Sequence, residues 1–249
     1  MATRTALRTS YIWGSALALL AGVATYVPRA FERRRRANAV VLNDTLPVNS
    51  QWWREQIALT GEIVYAAIGD SAAQGIGASE PGRSYVGLLA EHIREETKRT
   101  VHVINLSISG ARVADAVDLQ LPKLKKLSPH VVTVSVGAND MAAFEPARFE
   151  RDVRTLLSAL PPRSLVADVP SFHFPDGERK VRAANRILHR IAIANGHVLV
   201  PLYRTTRRQG LPRALTQVAG DFFHPNDRGY RVWASAFLPV LDRAIAKLS

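Results

Sequence analysis

The sequence predicts an α/β fold in which helices cover both faces of a parallel sheet. Five short apolar runs alternate with stretches that have helical spacing, and this alternation is typical of βαβ units. Consecutive residues of the runs are apolar, as in strands that are buried on both faces. The chain has 249 residues, of which 47% are hydrophobic, so it is long enough for one domain with a full core.

The predicted strands are bounded by glycine, proline or polar residues, which mark turns. The clearest strand is HVVTVSVG at 130–137, because apolar and β-branched residues dominate it. A helical stretch separates each strand from the next, so neighbouring strands are expected to be parallel. The five predicted strands cover residues 62–69, 101–107, 130–137, 164–170 and 197–203.

The stretches between the strands have helical spacing and predict the outer layers of the fold. Pro122 interrupts one of them, because proline lacks the N–H that a helix needs. A shorter helix is predicted within residues 49–62, with Asn49 or Ser50 as its N-cap and Gly61 as its C-terminal stop. The longer predicted helices cover residues 84–98, 111–127, 146–160, 178–195 and 228–248.

The N-terminal residues 1–36 have the character of a membrane segment. The stretch YIWGSALALLAGVATYV at 11–27 has no charged residue, and aromatic residues lie near both of its ends. The run RRRR at 33–36 follows it and is difficult to bury in a core. We therefore expect an uncleaved membrane anchor, with a cleaved signal sequence and a buried helix as the alternatives.

The arginines on either side of the apolar stretch indicate on which side of the membrane the rest of the chain lies. Five arginines follow the apolar stretch and two precede it, which favours a cytoplasmic domain, and export is the alternative. Residues 37–60 are predicted to link the anchor to a domain at 61–249. In this linker, Trp52 and Trp53 either pack on the domain or rest on the membrane surface.

The composition argues against several classes of function. The formal net charge is +12, but +6 of it lies in residues 1–36, and no basic recognition element follows, so we expect no nucleic-acid partner. The chain has no cysteine, which excludes disulfides, thiolate metal sites and cysteine nucleophiles. The seven histidines lack a metal-ligand spacing, so no metal site is expected.

Polar residues follow four of the predicted elements at positions that the topology brings together. The carboxyl ends of parallel strands lie at one edge of a sheet, where active sites of this fold class form. This convergence favours an enzyme. The segments concerned are Gly69-Asp70-Ser71, Gly110 in NLSISGA, Asn139 and Asp140 in GAND, and Asp221 with His224 in GDFFHPNDRGY.

These residue types suit acyl transfer. Ser71 needs a neighbouring base to act as a nucleophile, and His224 is that base if Asp221 orients its imidazole. An oxyanion needs preorganised donors, which the backbone N–H groups of Ser71 and Gly110 and the side-chain amide of Asn139 supply. Glycine at 110 allows the backbone to approach a substrate closely.

The four blocks, in this order, resemble those of the SGNH (GDSL-type) hydrolases. The resemblance covers about residues 62–248 and implies a flavodoxin-like three-layer α/β/α sandwich with a five-stranded parallel sheet. It implies hydrolysis of an ester or thioester without a cofactor. It also implies Ser71, His224 and Asp221 as the triad, and Gly110 and Asn139 in the oxyanion hole. Ala72 departs from the family pattern, which has leucine there.

The substrate is not determined by these motifs. The loops at 141–149 and 170–180 are expected to border the pocket, and their apolar residues either line it or close the core beneath it. A small-molecule or lipid ester fits either case. A transacylase with the same triad and a non-catalytic lipid- or glycan-binding module are the alternatives, and the oligomeric state is open. The candidate pocket residues are Met141, Phe144, Phe172, His173 and Phe174.

Overall fold

A parallel five-stranded sheet lies at the centre of the structure, in the order β2-β1-β3-β4-β5. The computed structural model describes residues 33, 37–38, 40–42, 44–173, 175–210 and 216–248. The strands are β1 Ile63–Gly69, β2 Val101–Asn105, β3 Val131–Ser135, β4 Leu165–Ala167 and β5 Val198–Val200.

Helices follow the strands and cover both faces of the sheet. Short 3-10 turns at Pro81–Arg83 and Asn139–Ala143 precede α3 and α6. The helices are α1 Leu46–Ala58, α2 Ser71–Gln74, α3 Tyr85–Thr97, α4 Val113–Asp115, α5 Leu121–Leu124, α6 Pro146–Ser158, α7 Pro175–Ala194, α8 Leu202–Arg207 and α9 Asp227–Ile245.

Two apolar cores lie on opposite faces of the sheet, because successive side chains of a strand alternate between faces. From β1, Tyr65 and Ala67 enter the core formed with α1, α3 and α9. Ala66 and Ile68 enter the core formed with α4, α5, α6 and α7. The predicted three-layer α/β/α sandwich with a five-stranded parallel sheet is therefore confirmed.

The helix predicted at 111–127 is divided into three parts. A π-helical turn at Ala116–Gln120 separates α4 from α5. Pro122 lacks the N–H that would continue regular α-helical bonding, and the buried Gln120 turns its amide towards the backbone of Gly69. The wider turn thus accommodates a specific contact with the sheet.

The short helix at the start of the domain begins earlier than the sequence predicts. α1 begins at Leu46 and ends at Ala58, so neither Asn49 nor Ser50 caps it. Asn49 is buried instead, and its amide donates to the carbonyl of Gln74 at 2.9 Å. A tertiary contact therefore overrides the capping preference of asparagine.

The tryptophan pair of α1 packs on the domain. The indole N–H of Trp53 donates to the carbonyl of Gln74 at 3.0 Å, and its side chain is buried in the first core. Trp52 is partly buried against the same core and lies edge-on to Trp53. Of the two alternatives, packing on the domain is the one observed.

The predicted anchor at residues 11–27 and the arginine run at 33–36 lie, apart from Arg33, outside the described residues. Within the described ranges, no helix has the length and apolar character needed to cross a membrane.

Candidate active site

Ser71 is presented by a sharp turn at the carboxyl end of β1. The strand ends at Gly69, and Asp70 caps α2 by accepting a hydrogen bond from the N–H of Ala72 at 3.0 Å. Ser71 is the first residue of this short helix. A Cβ on Gly69 would lie 2.6 Å from the Cβ of Ala73, so only glycine permits so tight a turn.

The side chain of Gln120 fixes the end of β1. Its Oε1 accepts from the N–H of Gly69 at 3.0 Å, and its Nε2 donates to the carbonyl of Gly69 at 2.8 Å. The amide thus pairs with the strand end as a neighbouring strand would. Sequence analysis missed this residue, although a glutamine between two leucines in an apolar stretch was a usable signal.

Ser71, His224 and Asp221 form a continuous chain of hydrogen bonds. The Oγ of Ser71 lies 2.8 Å from the Nε2 of His224. The Nδ1 of His224 lies 2.6 Å from the Oδ2 of Asp221. These three residues come from the two ends of the described domain, and their predicted convergence is observed.

The turn that carries His224 is built around Asp221. Asp221 Oδ1 accepts from the N–H groups of Phe223 and His224 at 3.0 and 3.1 Å. Phe222 occupies the left-handed region with φ 56°, a strained conformation for a bulky residue. Burial opposes ionisation of Asp221, but hydrogen bonds from His224 and the backbone outweigh it and lower the pKa of Asp221. The carboxylate therefore remains charged beside the imidazole.

Gly77 allows the turn at residues 221–225 to approach Ser71. A Cβ there would lie 2.5 Å from the carbonyl oxygen of Pro225 and 3.1 Å from the Cβ of His224. Its φ of 94° also favours glycine. Nearby, Asp227 accepts hydrogen bonds from the N–H and hydroxyl of Ser79, both at 2.8 Å. These contacts join the loop after α2 to the start of α9.

The two predicted oxyanion residues from other loops are brought close to each other. Asn139 Nδ2 donates to the carbonyl of Ala111 at 3.0 Å, next to Gly110, and lies 3.5 Å from Asp70 Oδ2. Gly110 has φ 76°, and a Cβ there would meet no described atom within 4 Å. The backbone of Gly110 thus borders open space.

Two carboxyl groups near this site are difficult to ionise. Burial raises the pKa of Asp70 to about 6, against the lowering effect of the Ala72 N–H and of His224. Burial likewise raises the pKa of Asp140 to about 6, although the N–H of Val113 donates to its Oδ2 at 3.1 Å. Both groups titrate between their ordinary values and neutrality.

The candidate pocket residues lie in different surroundings. Met141 is buried in the second core. Of the two predicted alternatives, lining the pocket or closing the core beneath it, the second is therefore observed for this residue. Phe144 borders a small open depression whose other lining residues include Arg112 and Asp140, which are next in sequence to Ala111 and Asn139.

The remaining pocket residues belong to the loop after β4. The ring centroid of Phe172 lies 6.1 Å from that of Phe223. His173 has φ 61°, and its N–H donates to Glu178 at 3.0 Å. Phe174 lies outside the described residues. Of the four described, Phe172 is the one linked through a ring contact to the turn that carries His224.

Known proteins resemble most of this chain. The family model described as the GDSL-like Lipase/Acylhydrolase family matches residues 67–232. The GDSL-like esterase Rv1075c of Mycobacterium tuberculosis (strain ATCC 25618 / H37Rv) is 25% identical over 258 residues, which cover 92% of this chain and 78% of that protein.

Solved structures share the fold. LAE5, an alpha/beta hydrolase enzyme from the metagenome of Lake Arreo, Spain, has a TM-score of 0.61 and 22% identity, covering 75% of this chain and 98% of its own. Axe2, an acetylxylan esterase from Geobacillus stearothermophilus, has a TM-score of 0.58 and 19% identity, covering 72% and 94%.

Proposed function

The chain belongs to the GDSL-like lipase/acylhydrolase family, and from this premise we propose that it is a serine hydrolase that cleaves a carboxylic ester or thioester. The observation that carries the proposal is the hydrogen-bonded chain from Ser71 through His224 to Asp221. The esterase Rv1075c and the acetylxylan esterase Axe2 support ester bonds as the substrate class.

The first half-reaction acylates the enzyme. Ser71 Oγ attacks the carbonyl carbon while its proton passes to His224 Nε2, and Asp221 stabilises the resulting imidazolium. The tetrahedral intermediate then expels the alcohol or thiol, which takes the proton from Nε2. The products of this step are the free alcohol or thiol and an acyl group bound to Ser71 Oγ.

The second half-reaction releases the acid. A water molecule gives a proton to Nε2 and attacks the acyl carbon, and the new intermediate collapses when His224 returns the proton to Ser71 Oγ. The ionised Asp221 is suited to stabilising the imidazolium in both halves.

In both halves, the negative oxygen is stabilised by the N–H groups of Ser71 and Gly110 and the amide of Asn139. The Ala111 carbonyl orients that amide. The 3.5 Å contact with Asp70 is at the long limit of a hydrogen bond, so its hydrogen is readily redirected to an oxyanion.

We further propose that residues 11–27 attach the enzyme to a membrane, with the arginines at 33–36 beside the lipid head groups. Such attachment suits a lipid ester as well as a small one. Fractionation of expressing cells tests this: the full chain is expected in the membrane fraction, and its recovery in the soluble fraction with the N-terminus intact contradicts the proposal.

Hydrolysis of short p-nitrophenyl esters tests the catalytic proposal. The full chain is expected to hydrolyse them, and Ser71→Ala is expected to lower kcat by roughly 10³-fold or more. Ser235→Ala, a change to an exposed serine of α9, is the matched control and is expected to retain wild-type rates. Equal rates for the wild type and Ser71→Ala would contradict the proposal.

A further inference from the structure

Glu178 is a buried carboxylate that holds the loop after β4. It lies in the first turn of α7, and its side chain is 6% exposed. Its Oε1 accepts three hydrogen bonds, from Ser171 Oγ at 2.6 Å, Phe172 N–H at 2.8 Å and His173 N–H at 3.0 Å. One oxygen atom therefore fixes three successive residues of the loop.

The second oxygen of Glu178 joins the loop to α8. It accepts from the hydroxyl of Tyr203 at 2.8 Å and from Arg207 Nη1 at 3.0 Å. Burial opposes ionisation of Glu178, but hydrogen bonds from Ser171, Tyr203 and the N–H groups of the loop outweigh it and lower the pKa of Glu178. A charged group with five donors is a rigid anchor, since both of its oxygens are fixed by charge-assisted hydrogen bonds.

The anchored loop presents Phe172 to the turn that carries His224. The rings of Phe172 and Phe223 lie 6.1 Å apart, and the ring of Phe223 lies edge-on to the imidazole of His224 at 5.1 Å. Phe223 is 44% exposed. A Cβ on Gly177 would lie 3.3 Å from the ring of Phe172. The absence of a side chain at residue 177 therefore allows the ring to pack against α7.

The position of these rings beside His224 indicates which part of an ester they meet. In the proposed reaction, the imidazole gives its proton to the leaving oxygen, so the group attached to that oxygen lies next to His224. The surface that adjoins the imidazole is the hydrocarbon of Phe223, extended by Phe172. An aromatic surface made of the exposed Phe223 and the partly buried Phe172 favours an apolar or aromatic group.

We infer that Phe172 and Phe223 form an apolar subsite for the alcohol part of the ester, and that Glu178 is the positioning residue that holds it. This inference depends on the proposed function and adds the class of alcohol: hydrocarbon-rich, with aryl or arylalkyl groups preferred to methyl.

The ratio of kcat/KM for benzyl acetate to that for methyl acetate tests the subsite, because the acyl group is the same in both esters. Phe223→Ala and Phe172→Ala are each expected to lower this ratio about tenfold, chiefly by raising KM for the benzyl ester. Ile193→Ala, on an exposed side chain near the far end of α7, is the matched control and is expected to keep the wild-type ratio.

Three results separate the possibilities. A wild-type ratio in both phenylalanine variants overturns the subsite. An effect that instead follows acyl length, measured with p-nitrophenyl acetate and octanoate, also overturns it by assigning the rings to the acyl group. If Ser71→Ala hydrolyses both acetates as the wild type does, it is the proposed function that fails.

The positioning role of Glu178 has a separate test. Glu178→Ala is expected to lower the benzyl-to-methyl ratio as Phe172→Ala does, and Glu178→Gln, which retains the acceptor for the loop, is expected to restore part of it. An equal loss on both esters overturns this role. Tyr203→Phe removes one donor with little change of volume, and if Glu178→Ala does not fold, a wild-type ratio in Tyr203→Phe overturns the role instead.

Discussion

Gly77 and His224 lie so close that the backbone at residue 77 has no room for a side chain towards the turn at residues 221–225. An added Cβ would lie 3.1 Å from the Cβ of His224 and 2.5 Å from the carbonyl oxygen of Pro225. The loop after α2 therefore packs directly against the turn that carries the imidazole. Gly77, six residues after Ser71, thus allows the close approach on which the proposed catalytic geometry depends.

Gly77→Ala is therefore expected to displace His224 and to lower kcat by at least about 100-fold, because small misplacements of catalytic groups are costly. Gly196→Ala is the matched control. Gly196 also has a positive φ of 70°, but an added Cβ would meet no described atom within 4 Å. Steady-state kinetics on p-nitrophenyl acetate measure kcat for both variants. Equal kcat values would contradict this role of Gly77.

Gln120→Leu is expected to destabilise the fold and to lower kcat. It leaves the N–H and carbonyl of Gly69 without the partner that Gln120 supplies in a fully buried position, at a cost of roughly 2 to 4 kcal/mol. Urea unfolding gives the change in the free energy of unfolding. Gln51→Leu, on the exposed face of α1, is the control and is expected to change it by less than about 0.5 kcal/mol.

The buried carboxyl of Asp70 predicts a pH-dependent stability. Its pKa in the folded protein is about 6, against an ordinary 3.8, so the folded state binds more protons than the unfolded state between these values. Asp70 therefore costs stability as the pH rises from about 4 to 6, by on the order of 3 kcal/mol, and costs none below pH 4.

Asp70→Asn removes the charge and keeps a side chain that caps helices equally well. We expect the free energy of unfolding of this variant, relative to wild type, to rise between pH 4 and pH 7. Urea titrations at both pH values measure it, with the exposed Asp118→Asn as control. A difference from wild type that is the same at both pH values would argue against a raised pKa.

The structure contains a second histidine–aspartate pair with the same separation, and it serves as an internal control. His92 Nε2 lies 2.6 Å from Asp242 Oδ1 on the surface, as His224 Nδ1 lies 2.6 Å from Asp221 Oδ2 in the site. His224→Ala is expected to lower kcat by roughly 10³-fold or more, and His92→Ala by less than twofold. Similar kcat values for the two variants would remove His224 from the role of base.

The predicted fold and convergence depended on features that are visible locally. Apolar runs and helical spacing predicted the layers, and the topology of parallel strands predicted that Ser71 and His224 meet, although 153 positions separate them. The order of strands and helices along the chain predicts this meeting, because the carboxyl ends of parallel strands lie at one edge of the sheet.

The contacts that sequence analysis missed are long-range hydrogen bonds between a side chain and the backbone. Gln120 lies 51 positions from Gly69, and nothing in its local sequence specifies that partner. The same holds for Asn49, whose capping preference predicted a helix start and whose amide instead binds the carbonyl of Gln74. Tertiary packing decides such contacts, and propensity describes only the local chain.

The identity of the nucleophile is tested most directly by labelling the full chain with a fluorophosphonate and locating the adduct by peptide mass mapping. The expected reaction is attack by Ser71 Oγ on phosphorus with loss of fluoride, so the adduct is expected on Ser71 and absent from Ser71→Ala. His224→Ala is expected to label much more slowly. An adduct on another residue, or equal labelling of Ser71→Ala, would contradict the assignment of Ser71.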